Sequence, residues 1–506
     1  MPPINRADRA AQRQALGRYE MVTAQQGKET DAKESRCSVR LQEAGKDGPA
    51  LMQCADRIRT KEDTMIKLPK EVARIMKTLT DAKQEAFAVG DCVRDALLGQ
   101  KPIGWDIATD AGFDKLRELF PEAKVLSETY SILRMEFIEE RYDDEGKFAG
   151  EDGIIIDVGT YRKRAAGVQA DQAGAAPVQF SDQVEDDVAR RAFTINAIAD
   201  NPYQLVDPYN GREDIKKKLI RTTRPAEEIF CEDPIQMMKA IQYAAELGFD
   251  LTKEVFAAIS QNYRLLEKVS VDKIRDAFTE TLTAAHGGKG LGLILDTGIL
   301  NIILGDAVVA HLTRREKSDL MVLAENIDKT YQVPERRLGL FYTCVSRKKA
   351  TPSIDKLNFD AETYQHLTDA VRDMARLYFT AQPEELKKFI YERGWDRYQY
   401  LANLEKAQRI VFEYHSDTKI QSKMYMIDEF KRKGEAVFVE DLDIGANDLI
   451  EAGICTTDDA GKMLALLVET VHVKPNLNNY KELLKLAKKY KRSKFAAMTR
   501  GVKWLR

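Results

Sequence analysis

Two aspartates, one glycine turn and a pair of arginines are the residues of this chain best suited to chemistry. In "FAVGDCVRDALLG" an apolar run leads into Gly90, and a helix start follows. A glycine at such a turn lets backbone N–H groups approach a phosphate, and the helix N-terminus adds positive potential. Arg94, on the first turn of that helix, could reach the same anion. Further on, "GWDIAT" puts Asp106 on a short strand, and "IIIDVGTYR" puts Asp157 on another, a natural neighbour across a sheet. Carboxylates on adjacent strands beside a phosphate cradle can hold Mg²⁺ for phosphoryl or nucleotidyl transfer. Arg190 and Arg191 suit a triphosphate, because guanidinium groups grip phosphate oxygens in a fork. Each feature also has a plainer role. A glycine turn can simply shape a loop, a strand-borne Asp can pair with a base, and Glu232 and Asp233 fall at a helix start where the dipole favours acids.

The elements that must position these groups are legible in the pattern. "EAFAV", "ILRMEFI" and "GIIIDVGTY" predict strands, whereas "RDALLG", "FDKLREL" and "FTINAIA" predict helices. The stretches 141–153 and 164–178 are polar or rich in Ala, Gly and Gln, and predict loops. Past residue 210 the period is helical almost throughout, with "DPIQMMKAIQYAAELGF" as one amphipathic helix. Residues 1–64 are polar, poor in aromatics and without sustained period, the composition of a disordered extension. Met65, ahead of "IKLPKEVARIMKTL", is an alternative start that opens the first amphipathic helix.

Composition narrows the function class. The 506 residues are 44% hydrophobic and 31% charged, enough apolar mass for several domains of a soluble protein. The formal charge of −3 gives no global pull on nucleic acid, so any polyanion site must be local. Six cysteines with no C-x-x-C pair argue against a zinc site or a disulfide framework and fit a reducing cytoplasm. Five scattered histidines make a histidine metal centre a poor fit. No apolar run is long enough to span a membrane, and no signal-peptide pattern opens the chain. The closing "KELLKLAKKYKRSKFAAMTRGVKWLR" is strongly basic, with Tyr490, Phe495 and Trp504 interleaved. It is either a solvated helix face or a contact to a phosphate backbone, through Lys485, Lys488, Lys489, Lys491 and Arg492.

Taken in order, "AVGDCVRDALLG", "WDIATDA", "VEDDVARRAFTINAIA", "LVDPYNGREDI" and "EDPIQMMKAIQYAAELGF" resemble the class II tRNA nucleotidyltransferase and poly(A) polymerase family. The likeness is to its bacterial CCA-adding members, covers about residues 65–490, and includes "DIGANDLIEAGI" in the C-terminal part. It implies an α+β fold: a small nucleotidyltransferase head with a mixed β-sheet and helices, then an elongated all-helical neck, body and tail. The corresponding divisions are 65–200 for the head, 201–265 for the neck, 266–420 for the body and 421–506 for a tRNA-binding tail. It further implies template-independent addition of CMP and AMP, from CTP and ATP, to the tRNA 3′ end, with Mg²⁺ as cofactor and no DNA or membrane partner.

Carried over residue by residue, Asp106 and Asp157 become the catalytic and metal-binding pair. Gly90, Asp91, Arg94, Arg190, Arg191, Asn196, Asp233, Gln236, Lys239 and Gln242 become the nucleotide-binding positions. Several of these depart from the family pattern. Its Gly-Gly is Gly90-Asp91 here, its Asp-x-Asp is Gly104-Trp105-Asp106, and its Arg-Arg-Asp is Arg190-Arg191-Ala192. Its Glu-Asp-x-x-Arg ends in Gln236, and two further arginines are Lys239 and Gln242. The apolar framework remains while polar contacts to metal and nucleotide are altered. Three functions stay open: a divergent nucleotidyltransferase, a catalytically inactive relative that binds tRNA or RNA, and a scaffold that uses the helical body. The departures favour the second on physical grounds.

Overall fold

The computed structural model describes residues 66–142, 148–164, 178–412 and 417–492, all within one unit, Ile58–Arg506. The extension 1–64, Met65, most of the 164–178 stretch and the end of the basic segment lie outside the described residues. The first described helix, α1 (Lys70–Asp81), starts after Pro69, later than Met65. Pro69 itself is extended (ψ 154°), and its ring disfavours helical backbone in the residue before it.

The head is a seven-stranded mixed sheet in the order β3-β4-β5-β2-β1-β8-β9. Its strands are β1 (Phe87–Val89), β2 (Gly104–Thr109), β3 (Lys124–Ser127), β4 (Ile132–Tyr142), β5 (Phe148–Thr160), β8 (Ala199–Asp200) and β9 (Leu205–Val206). A separate ladder joins β6 (Arg162–Lys163) to β7 (Gln179–Phe180). Only β2 and β5 run parallel in the main sheet; the other pairings are antiparallel. Alternation sorts the residues to two faces. Trp105, Ile107, Leu133, Met135, Ile156 and Val158 enter the large core. Phe87, Val89 and Ala108 join a smaller cluster with Tyr161, Val184 and Val188. Asp106 shares the parity of Ala108, so it lies on the side of the smaller cluster.

Helix α2 (Asp91–Leu97) follows β1 directly, and α3 (Phe113–Leu119) follows β2. Then come α4 (Val184–Ala189), α5 (Gly211–Lys217), α6 (Ala226–Glu232) and α7 (Ile235–Leu247). Beyond α7 the described chain is helices apart from one short strand, Asp250–Leu251, paired in parallel with Leu219–Ile220. The large core extends from Ile66 to Val437, and a second cluster holds Ala436 to Ala487.

Three local expectations differ from the structure. "FTINAIA" is not a helix: Thr194–Asn196 is one 3₁₀ turn, and Ala199–Asp200 is β8. Thr194 Oγ1 donates to Asp214 Oδ2 at 2.6 Å, and Gly90 N donates to Ile198 O at 3.1 Å. These tertiary partners override a propensity worth only tenths of a kcal/mol per residue, roughly. The 141–153 stretch is largely hairpin, because the β4–β5 ladder continues from Phe137↔Ile154 out to Tyr142↔Phe148. The helix expected over "DPIQMMKAIQYAAELGF" begins only at Ile235, after Asp233 at φ −140° and the N-cap Pro234, and ends on Gly248 at φ 70°.

Candidate active site in the head

Asp106 and Asp157 are register partners on the parallel β2–β5 pair, so their side chains rise from the same face of the sheet. A pocket of about 250 Å³ opens over them, lined by Asp106, Asp157, Arg162, Asp187, Arg190 and Arg191 among others. A larger pocket of about 590 Å³ lies against Trp105 and Phe137 but holds a single acid, Glu71, so the chemistry gathers in the smaller one. Burial pushes the Asp106 carboxyl up to about 6; Arg191 opposes that rise, while Asp91 and Asp157 add to it. Asp157 is held differently. Arg134 Nε and Nη2 donate to its Oδ1 and Oδ2, each at 2.8 Å, from the facing position on β4. Both carboxylate oxygens therefore lie in one guanidinium fork.

The arginine pair sits where α4 ends. Arg190 Nε donates to Asp187 Oδ1 at 2.9 Å, and Arg191 Nη2 to Asp187 Oδ2 at 3.4 Å. Asp187 is 2% exposed. Burial disfavours its charge, but the two arginines outweigh that and hold its carboxyl below the usual range. Arg162, which also lines the pocket, stacks over Tyr130, and burial beside Arg190 and Arg191 lowers its guanidinium to about 10. Arg134, Arg162 and Asp187 were not among the residues expected from the sequence. The alternation of "ILRMEFI" gives a face for Arg134, but only the β4–β5 register supplies its partner.

The Gly90 turn faces the same side. Gly90 has φ 90°, and a Cβ there would overlap Arg191 Nη1, so the turn and the arginine require glycine together. Asp91 is exposed at the start of α2, where its Oδ1 accepts from Cys92 N at 2.9 Å. Arg94 does not point into open pocket space. It is 5% exposed, donating to Asn196 Oδ1 at 2.9 Å and to Asp95 Oδ1 at 2.8 Å, with its guanidinium over the Tyr243 ring. Arg94 and Asn196 thus tie the turn to α7.

The remaining expected positions run along one side of α7 and do not line the acid pocket. Gln236 Nε2 donates to Asp233 Oδ2 at 2.9 Å. Lys239 Nζ donates to Gln242 Oε1 at 2.8 Å and pairs with Glu280, while Gln242 Nε2 donates to Glu246. Their polar ends bond to one another and to nearby acids. Glu232 closes α6 and is held by Arg224 and Arg164.

A divalent ion for nucleotidyl transfer takes carboxylate oxygens as ligands. Position 104 offers none, and Asp157 has both oxygens in the Arg134 fork, which leaves Asp106 as the one uncommitted carboxylate of the pair. Among the described residues no group of three His, Cys, Asp or Glu side chains is placed to hold a metal. As arranged, these residues do not fit a divalent ion.

Residues 86–221 match the model of the poly A polymerase head domain, and residues 248–308 match that of the probable RNA and SrmB-binding site of polymerase A. The likeness to the poly A polymerase head-domain family is thus carried by residues 86–221. It is 33% identical to the CCA-adding enzyme of Lactobacillus helveticus over 44% of this chain and 52% of that one. With the CCA-adding enzyme of Geobacillus kaustophilus the figures are 31%, 47% and 56%. The chain thus spans about half the length of these curated relatives. A match to the Bacillus cytotoxicus CCA-adding enzyme is longer, 25% identical over 82% of this chain and 97% of the relative. The fold resembles that of the Bacillus stearothermophilus CCA-adding enzyme in complex with CTP, with TM-score 0.65, 23% identity, and 85% and 100% coverage of the two chains. It also resembles the Thermotoga maritima CCA-adding enzyme complexed with tRNA_CCA, with TM-score 0.56, 18% identity, and 83% and 95% coverage. At these identities the structures speak to fold alone: a mixed-sheet head followed by many helices.

At the far end, Tyr480–Arg492 forms an amphipathic helix. Leu483 and Ala487 enter the second cluster, while Lys485, Lys488, Lys489, Lys491 and Arg492 are exposed. Lys491 Nζ donates to Gly453 O at 2.5 Å and Lys485 pairs with Glu482, so those two are partly engaged within the chain. No helix among the described residues is long and apolar enough to cross a membrane.

Proposed function

We propose that this chain is a tRNA nucleotidyltransferase-type protein that binds the 3′ end of tRNA and whose head does not perform the family's Mg²⁺-dependent transfer. The observation that carries this reading is the bidentate hold of Arg134 on Asp157, beside a residue 104 that has no side chain. One lost metal ligand costs several kcal/mol of transition-state stabilisation, and roughly 4 kcal/mol is about a thousandfold in rate. The tRNA part of the reading is supported by relatives named CCA-adding enzymes and by the exposed basic face of Tyr480–Arg492. Its compartment on this reading is the cytoplasm.

A second reading is template-independent addition of CMP and AMP, from CTP and ATP, with Asp106 and Asp157 holding Mg²⁺. It is favoured by the in-register placement of that pair and by Arg190 and Arg191 on the same pocket. The deciding experiment mixes purified protein with tRNA lacking its CCA end, labelled CTP or ATP, and Mg²⁺. Salt-dependent tRNA binding without incorporation is the expected result. Incorporation that Asp106→Ala abolishes overturns it in favour of the second reading. Absence of tRNA binding overturns both.

A further inference from the structure

The misfit between the head and a divalent ion has a definite shape. The fork that occupies Asp157 comes from within the same sheet, through a cross-strand pair whose two bonds are each 2.8 Å long. Arg134 therefore supplies positive charge at the carboxylates, the location where a bound ion would otherwise be the largest local charge. Four guanidiniums, Arg134, Arg162, Arg190 and Arg191, then face Asp106, Asp157 and Asp187. Asp91 on the exposed turn brings that balance to neutral. Without Arg134 the same ring would be net acidic and would repel a polyphosphate.

We infer that Arg134 stands in for the divalent ion in this head, so that the pocket takes the phosphates of a nucleoside triphosphate on Arg162, Arg190 and Arg191 independently of metal. Arg162, through its backbone N–H, and Arg190, through its side chain, both bond Asp187 Oδ1, and Arg191 lies over the Gly90 turn. A planar guanidinium keeps its charge at any working pH and cannot be removed by a chelator. An arginine held on Asp157 cannot coordinate a γ-phosphate or a leaving oxygen as an ion does, so binding and transfer are uncoupled. The inference deepens the proposed reading of an inactive head and rests on it. It is tested without tRNA, so a failure here is separate from a failure to bind the tRNA end.

The test is a pair of titrations on the full chain: Mn²⁺ followed by electron paramagnetic resonance, and CTP followed by calorimetry, with and without Mg²⁺. The wild type is expected to take up no stoichiometric Mn²⁺ and to bind CTP with a Kd that changes by less than about twofold between chelator and Mg²⁺. Arg134→Leu is expected to gain one Mn²⁺ per chain and to make CTP affinity rise with Mg²⁺ by about tenfold or more. Arg134→Lys keeps the charge and is expected to stay free of Mn²⁺. Should the Leu variant fail to fold, as judged by circular dichroism, Arg134→Gln takes its place. Stoichiometric Mn²⁺ on the wild type overturns the inference. So does CTP binding that requires Mg²⁺, CTP that binds under neither condition, or an Arg134→Leu or Arg134→Gln protein that gains no Mn²⁺.

Discussion

Replacing Asp106 by asparagine is expected to stabilise the protein at neutral pH. The carboxyl of Asp106 moves from 3.8 to about 6 on folding, first through burial and then through repulsion by Asp91 and Asp157, with Arg191 pulling the other way. An acid whose proton affinity rises on folding stabilises the fold below its unfolded value. It loses that contribution as pH climbs through the folded value. The window here runs from pH 3.8 to about 6. Each tenfold in proton affinity is worth about 1.4 kcal/mol, which sets a ceiling of about 3 kcal/mol on the penalty carried by charged Asp106. Local relaxation and water reduce it, so Asp106→Asn is expected to gain about 1–3 kcal/mol near pH 7.5 and nothing near pH 3.5. Urea denaturation across that range measures the gain, and hydrogen exchange of β2 and β5 amides shows where it resides. A variant no more stable than wild type near neutrality, or equally stabilised at both ends of the range, refutes the electrostatic account. A destabilised variant in the presence of Mg²⁺ would instead show that an ion had been using the carboxylate.

Gly90→Ala is expected to lose about 1–3 kcal/mol from the positive φ alone, with the Arg191 overlap adding to it. Arg191→Ala in the same chain should recover only the steric part, as denaturation midpoints would show. In the helical body, Lys423 Nζ donates to Glu405 Oε1 at 2.6 Å and to Leu377 O at 3.0 Å, with both side chains nearly sealed from water. Lys423→Met should cost about 3–5 kcal/mol by stranding the Glu405 charge, and Lys423→Met with Glu405→Leu should regain most of it. A single variant of near wild-type stability would contradict this. Lys488→Glu with Lys489→Glu should leave the melting temperature unchanged and make the logarithmic salt dependence of tRNA binding shallower by roughly two. An unchanged slope would remove that helix face from the RNA contact.

The strands carrying Asp106 and Asp157 were legible because each is a short apolar run broken by one aspartate. Their adjacency followed from a fold class that supplies few alternatives. The Arg134 fork was not legible, since alternation assigns a face but not the partner across it, and that partner is fixed by the register of a long hairpin. "FTINAIA" misled for a related reason: its seven residues from Phe193 to Ala199 are all buried, so burial gives no period to tell helix from strand. Arg94 could be placed beside the turn from sequence, yet its engagement by Asn196 and Tyr243 depends on chain far downstream. Gln236, Lys239 and Gln242 were recognisable as departures, and their bonding to neighbours along α7 is what i, i+3 and i, i+4 spacing on one helix face allows.

The cross-strand hold on Asp157 also bears on how this head can change over generations. A Cβ at Gly104 would meet nothing nearer than Ile155 O at 3.5 Å, so an aspartate could return there without a clash. Returned alone, it would add a third acid to the face while Arg134 still gripped Asp157. Removing Arg134 alone would leave Asp157 without its ion-pair partner beside Asp106. Each single step is uphill, and restoring the Asp-x-Asp pattern with a free Asp157 needs both. The fork and the bare position 104 therefore hold each other in place: neither residue can change toward a metal site without the other.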